Sequence, residues 1–203
     1  MIDDDSAIES RRKFLKTLAY GSVLALSGCG VETAVVRDED WEGINQPFNT
    51  RYRHSPGHRT LSFEHTHTGE KLKLTYFERG NYIKDALQEI NYLLRDFRTE
   101  DIHPIDTALL DQLFDLKQTL ALNKPFHILS GYRSPITNAR LRKHSHGVAE
   151  HSYHMQGMAI DIRVEGVSSK TIRNTALAMA QGGVGYYPRN NFVHLDTGRY
   201  RSW

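Results

Sequence analysis

The sequence predicts an α+β fold: a small, mostly antiparallel sheet with helices packed on one face. Three observations carry this. Two β-type runs, TLSFEHT and EKLKLTYF, flank His67-Thr68-Gly69. Apolar residues then recur at helical spacing in two stretches. Finally, MAIDIRV and NFVHLDT alternate apolar and polar residues with the period of two of a half-buried strand.

In chain order, the first two runs predict a hairpin. Asn81 is expected to cap a helix whose apolar residues, Ile83, Leu87, Ile90, Leu94 and Phe97, lie on one face. Asp106 is expected to cap a second, with Leu109, Leu113, Leu116 and Leu120 on one stripe. PFHILSG (125–131) reads as a strand, SPITNARLRKHS as a helix and MAIDIRV (158–164) as a strand. SSKTIRNTALAMAQGG predicts a helix from about Ser168 to a stop at Gly182-Gly183. GVGYYP and NFVHLDT are expected to be the last two strands, a hairpin turned by Pro188-Arg189-Asn190-Asn191. The helical stripes are core and carry no functional assignment.

The 203 residues suffice for one domain, expected over 60–203, with a leader and a tether ahead of it. A formal charge of +2 gives no broad basic surface for nucleic acid. The single cysteine excludes an internal disulfide and a multi-cysteine metal cage. Residues 1–28 read as an export signal: a basic segment, then an apolar run too short to span a membrane. Ser10 to Lys16, SRRKFLK, resembles the twin-arginine signal. Leu26-Ser27-Gly28-Cys29 resembles a bacterial lipobox, which implies lipidation of Cys29 and anchoring to a membrane facing the periplasm; the other reading is a core cysteine after small residues. Residues 29–59, polar and without a clear period, read as a tether.

The chemistry concentrates in the second half. Six of the 11 histidines lie between His127 and His194. Along MAIDIRV, Ile160, Ile162 and Val164 point to the core, so Asp161 stands on the opposite face. Along FVHLD, Val193 and Leu195 point inward, while Phe192, His194 and Asp196 share the other face. Pairing the two strands would bring Asp161 and His194 to one ion. His154 precedes Asp161 by seven residues, about 10 Å along a continuous helix, so the chain must bend, and Gly157 is placed for that. His154, Asp161 and His194 then form a three-ligand set with an open position, of the kind a catalytic zinc uses. Two histidines and a carboxylate also suit iron. The residues alone leave a plainer reading open: a loop histidine, a surface carboxylate and a hydrogen-bonded strand histidine.

SYHMQGMAID (152–161) fits S-x-H-x-x-G-x-A-x-D and resembles the D-alanyl-D-alanine-type zinc peptidases, the lysostaphin/carboxypeptidase/hedgehog fold group. SGYRS (130–134) and GGVGYYPRNNFVHLDTG (182–198) narrow the resemblance to a branch of exported murein endopeptidases, over about Leu61 to Trp203. The resemblance implies Zn²⁺ on His154, Asp161 and His194, peptidoglycan as substrate, and Arg133 near the substrate, where its guanidinium fork suits a carboxylate. The sequence departs from the pattern at the general base. Relatives carry an acid three residues, or a histidine two residues, before the last ligand, where this chain has Asn191 and Phe192. Asp196 is then a candidate base or a carboxylate that orients His194, with His151 weaker. Ser152 and Tyr153 are expected to hold the His154 loop, and His144, His146 and His151 to be exposed. Gly182, Gly183 and Gly185 follow a helix and lack the strand–loop–helix order of a dinucleotide site. The reading is therefore a zinc-dependent murein endopeptidase. A D,D-carboxypeptidase and a non-catalytic, zinc-stabilised wall-binding module are its alternatives.

Overall fold

The computed structural model describes residues 57–144 and 147–203. The leader, Cys29, nearly all of the tether and His146 lie outside them. The first hairpin forms as expected: β1 (His58–His65) pairs antiparallel with β2 (Lys71–Glu78), placing Leu61 opposite Leu74. Its turn is tied by the His65 imidazole, whose Nδ1 accepts from the backbone N–H of His67 and Thr68, both at 3.3 Å.

Asn81 does not cap a helix. It belongs with Tyr82 to a short strand, β3 (Asn81–Tyr82), pairing with the end of β2, and its amide donates to the Arg79 carbonyl. Helix α1 (Lys84–Leu93) begins after Ile83 without a side-chain cap. Its stripe buries Ile90 and Leu94 completely, but Phe97 falls beyond the helix and stacks on His67 at 4.3 Å. Phe97 is instead placed by the rings of the first turn, edge-on to His65 and stacked on His67. Asp106 does cap α2 (Thr107–Thr119), accepting from Ala108 N–H at 3.0 Å. Leu109, Leu113 and Leu116 of its stripe are fully buried, each worth roughly 1.5–3 kcal/mol.

Strand β4 (Phe126–Ser130) leads to α3 (Pro135–His144), and a 3-10 turn (Tyr153–Gln156) enters β5 (Ala159–Val164). Helix α4 (Ser169–Met179) is capped by Ser168, which accepts from Thr171 N–H at 3.0 Å. It ends at left-handed Ala180 instead of Gly182-Gly183. Those glycines serve the next strand: a Cβ on Gly183 would meet the Asp196 carboxylate and the Arg201 guanidinium. Strands β6 (Gly183–Tyr187) and β7 (Phe192–Asp196) form the expected hairpin across residues 188–191. They are not the last strands, because β8 (Arg201–Ser202) follows and pairs parallel with β6.

The eight strands form one sheet in the order β3-β2-β1-β4-β5-β7-β6-β8. Only the β1–β4 and β6–β8 pairings are parallel, so the α+β, mostly antiparallel expectation holds. Leu61, Phe63, Ile128, Ile160, Ile162, Val193 and Leu195 share one buried core with the apolar faces of α1, α2 and α4. The polar residues that alternate with them on β5 and β7 are thereby forced to the other face.

Candidate metal centre

Sheet register assembles the centre. Asp161 of β5 lies directly opposite His194 of β7, and Ser130 of β4 opposite Asp161 on the other side. The third group arrives from the loop before β5. Ser152 accepts from His154 N–H at 3.4 Å and starts the 3-10 turn; Gly157 ends it at φ 67°, in the left-handed region. The bend is pinned on both sides, by Arg133 N–H to the His154 carbonyl at 3.1 Å and Asp106 N–H to the Gly157 carbonyl at 3.0 Å. A Cβ on Gly157 would run into the Pro104 carbonyl oxygen. Gly157→Ala is therefore expected to destabilise the domain by about 2 kcal/mol or more, combining a disfavoured φ with overpacking. Thermal unfolding measures the loss, and peptide release should fall with it as His154 is displaced.

The three side chains converge tightly. Asp161 Oδ1 is 2.9 Å from His194 Nδ1 and 3.3 Å from His154 Nε2, and the two nitrogens are 3.2 Å apart. A tetrahedral ion with bonds of about 2.0–2.1 Å has ligand–ligand edges of about 3.3 Å. The second nitrogen of each ring is already engaged. His154 Nδ1 lies 2.7 Å from the Gly131 carbonyl, which only accepts, so Nδ1 carries the proton and the Nε2 lone pair faces the centre. His194 Nε2 lies 3.0 Å from Asp196 Oδ2 and donates to it, which turns Nδ1 to the centre.

Charge balance points the same way. Burial disfavours the Asp161 carboxylate, but the His154 and His194 rings outweigh it and hold the acid well below its usual range. Burial also opposes charge on His194, yet Asp161 and Asp196 raise the imidazole to about 9. His154, fully enclosed, is pushed down by burial. A proton on His194 Nδ1 thus stands between the ring and Asp161 where a cation would sit, and two inward ring nitrogens with a buried anion form a donor set that fits a metal ion.

Arg133 lies beside this centre. Its guanidinium is 3.9 Å from Asp161 and, among the described residues, makes long contacts of 3.4 Å each to Ser130 Oγ and Asn138 Oδ1, while its buried Nε has no partner among them. Asp196 is fully buried on the far side of the His194 ring. There it takes both arms of Arg201, at 2.9 and 2.6 Å, and the backbone N–H of Gly183 and Gly198. Asn191 is exposed in the hairpin turn and Phe192 stacks on Tyr187 at 4.4 Å. His144 and His151 are exposed. Sequence reasoning missed Arg201, Gly131 and Trp203. Gly131 was visible within SGYRS: a Cβ there would sit 2.6 Å from the Leu94 carbonyl, so only glycine brings its own carbonyl to His154.

Residues 53–203 match the peptidase family described as peptidoglycan L,D-endopeptidase MepK. The chain is 47% identical over 181 residues to the peptidoglycan L,D-endopeptidase MepK of Escherichia coli (strain K12), covering 89% of this chain and 94% of that protein. The protein of the same name from Shigella flexneri gives the same identity and coverage. The "probable peptidoglycan L,D-endopeptidase MepK" of Haemophilus influenzae is 39% identical over 150 residues, 73% of this chain and 81% of the relative.

Proposed function

The chain belongs to the MepK family of peptidoglycan L,D-endopeptidases, and from that premise we propose that it hydrolyses peptide cross-links of peptidoglycan, at an L,D bond, with a zinc ion held by His154 Nε2, Asp161 Oδ1 and His194 Nδ1. The observation that carries the reading is the convergence of two imidazole nitrogens and a buried carboxylate beside a guanidinium held by long contacts. Bound there, zinc would polarise the scissile carbonyl and lower the pKa of attacking water toward 7.

The chain's own residues set the rest of the geometry. The Gly131 carbonyl and the Asp196 carboxylate fix the two ring orientations, so each ring turns its other nitrogen to the centre, and an ion binding there would replace the proton on His194 Nδ1. The terminal nitrogens of Arg133 make long contacts beside Asp161, and a carboxylate of a stem peptide is the chemistry that would engage them more closely. Asp196 orients His194. It meets Nε2, on the opposite side of the ring from the atom that faces the centre, and Arg201 saturates it. That placement argues against its service as the general base. Iron suits the same three-donor set, and elemental analysis of the purified protein distinguishes the two ions.

Export by the twin-arginine route, lipidation at Cys29 and a tether up to the domain complete the proposal. They would place the enzyme in the periplasm within reach of the wall. Purified protein incubated with murein sacculi should release peptide-linked fragments whose masses identify the severed bond. Chelation should abolish release and added zinc restore it, and His194→Ala should fold but release nothing. Release of single D-Ala would mark a D,D-carboxypeptidase. Pull-down of sacculi without release would mark a binding module, and hydrolysis surviving in His194→Ala would sink the ligand set.

A further inference from the structure

The row of paired residues that builds the metal centre continues past it. Ser130, Asp161 and His194 are followed on β6 by Gly185, the register partner of His194. Gly185 has no side chain, and the space above it is taken by the indole of Trp203. A Cβ there would lie 2.7 Å from two indole carbons. The indole thereby reaches His194, with ring centroids 5.2 Å apart.

Trp203 is held firmly for a residue that is 50% exposed. Its backbone extends the β6–β8 pairing, with Tyr186 N–H to the Trp203 carbonyl at 3.0 Å and Trp203 N–H to the Val184 carbonyl at 3.3 Å. Its indole N–H donates to the Tyr187 hydroxyl at 2.9 Å. Arg201, fixed by Asp196, lies over the indole with its guanidinium carbon 4.9 Å from the ring centroid. The indole is thus a fixed, half-open apolar surface beside a centre whose other groups are all polar. A fixed ring costs little ordering entropy when something packs on it.

We propose that the exposed part of the Trp203 indole is a substrate platform. It packs against the aliphatic part of a stem-peptide residue, on the arm of the cross-link that runs away from Arg133. This rests on the endopeptidase reading above. Arg133, at the β4 end of the row, suits the substrate's carboxylate. A peptide crossing the metal centre from there would meet the indole next to His194, where it lies over Gly185. Trp203 touches substrate and takes no part in bond cleavage.

The test is steady-state hydrolysis of purified cross-linked muropeptide dimers by the metal-loaded full chain. Trp203→Ala is expected to raise KM about tenfold with kcat within about twofold, while Trp203→Phe restores most of the affinity. Tyr187→Phe removes only the hydroxyl that anchors the indole and should raise KM about threefold; it keeps the proposal testable if Trp203→Ala misfolds. Metal affinity, read by competition with a chromophoric chelator, should be unchanged in all three. An unchanged KM in these variants overturns the platform while leaving the endopeptidase reading intact. So does a fall in kcat and metal affinity at constant KM, which would make Trp203 a prop for His194. A wild-type protein that cleaves no dimer overturns both.

Discussion

Asp161→Asn is expected to fold, lose its bound metal ion and release peptides from sacculi at about one-thousandth of the wild-type rate or less. The amide keeps the size of the carboxylate but removes the negative charge around which the centre is built. Asp161 Oδ1 is within 3.3 Å of both ring nitrogens, and among the described residues it is the one acid grouped with them. Asp196 is bonded to the opposite nitrogen of His194 and neutralised by Arg201. An amide is also a poorer donor to a hard or borderline cation than a carboxylate. The hydrophobic core is untouched, because Asp161 lies on the face away from α1, α2 and α4. A modest loss of stability should remain: Arg133, 3.9 Å away, loses its carboxylate neighbour, and the ion's contribution to folding goes with it. Elemental analysis of the purified variant, circular dichroism and chromatography of released peptides read the three quantities. A variant with a full complement of metal and near-normal release would remove Asp161 from the ligand set.

The centre was legible because it rests on two period-two patterns. MAIDIRV and FVHLD each place one potential ligand opposite a buried apolar face, and their pairing follows once both are strands of one sheet. Gly157 was legible for a similar reason: no straight element joins His154 to Asp161. What stayed hidden depends on contacts distant in sequence. The residues Asn81-Tyr82 pair with the end of β2, and nothing in the local sequence distinguishes that from a helix cap. The Gly182-Gly183 pair looks like a helix stop, yet Gly183 is required by the Asp196 carboxylate thirteen residues on. The two-residue strand β8 has no periodicity to detect, so neither Arg201 behind His194 nor Trp203 beside it was foreseeable from spacing.

Replacing Asp196 separates its two readings with a large effect on either. Four residues donate to this buried carboxylate: His194 through Nε2, Arg201 through both arms, and Gly183 and Gly198 through their backbone N–H. Burial alone would raise its pKa, but His194, Arg201 and Gly198 hold it well below the usual carboxylate range. Asp196→Ala strands those donors around a cavity. By analogy with other broken buried pairs it should destabilise the domain by about 3–5 kcal/mol. The informative variant is Asp196→Asn, which preserves volume and one acceptor. If Asp196 orients His194, the amide weakens the hold on the Nε2 proton and lowers metal affinity by about 10–100-fold. Added zinc should then restore kcat toward the wild-type value, with the shape of the pH–rate profile preserved. A general base would behave differently: kcat would stay about 10²–10⁴-fold low at saturating metal, and one limb of the profile would vanish. The geometry favours rescue by metal. A proton acceptor must face the substrate side of the centre, and Asp196 lies behind the imidazole with Arg201 across its outer edge.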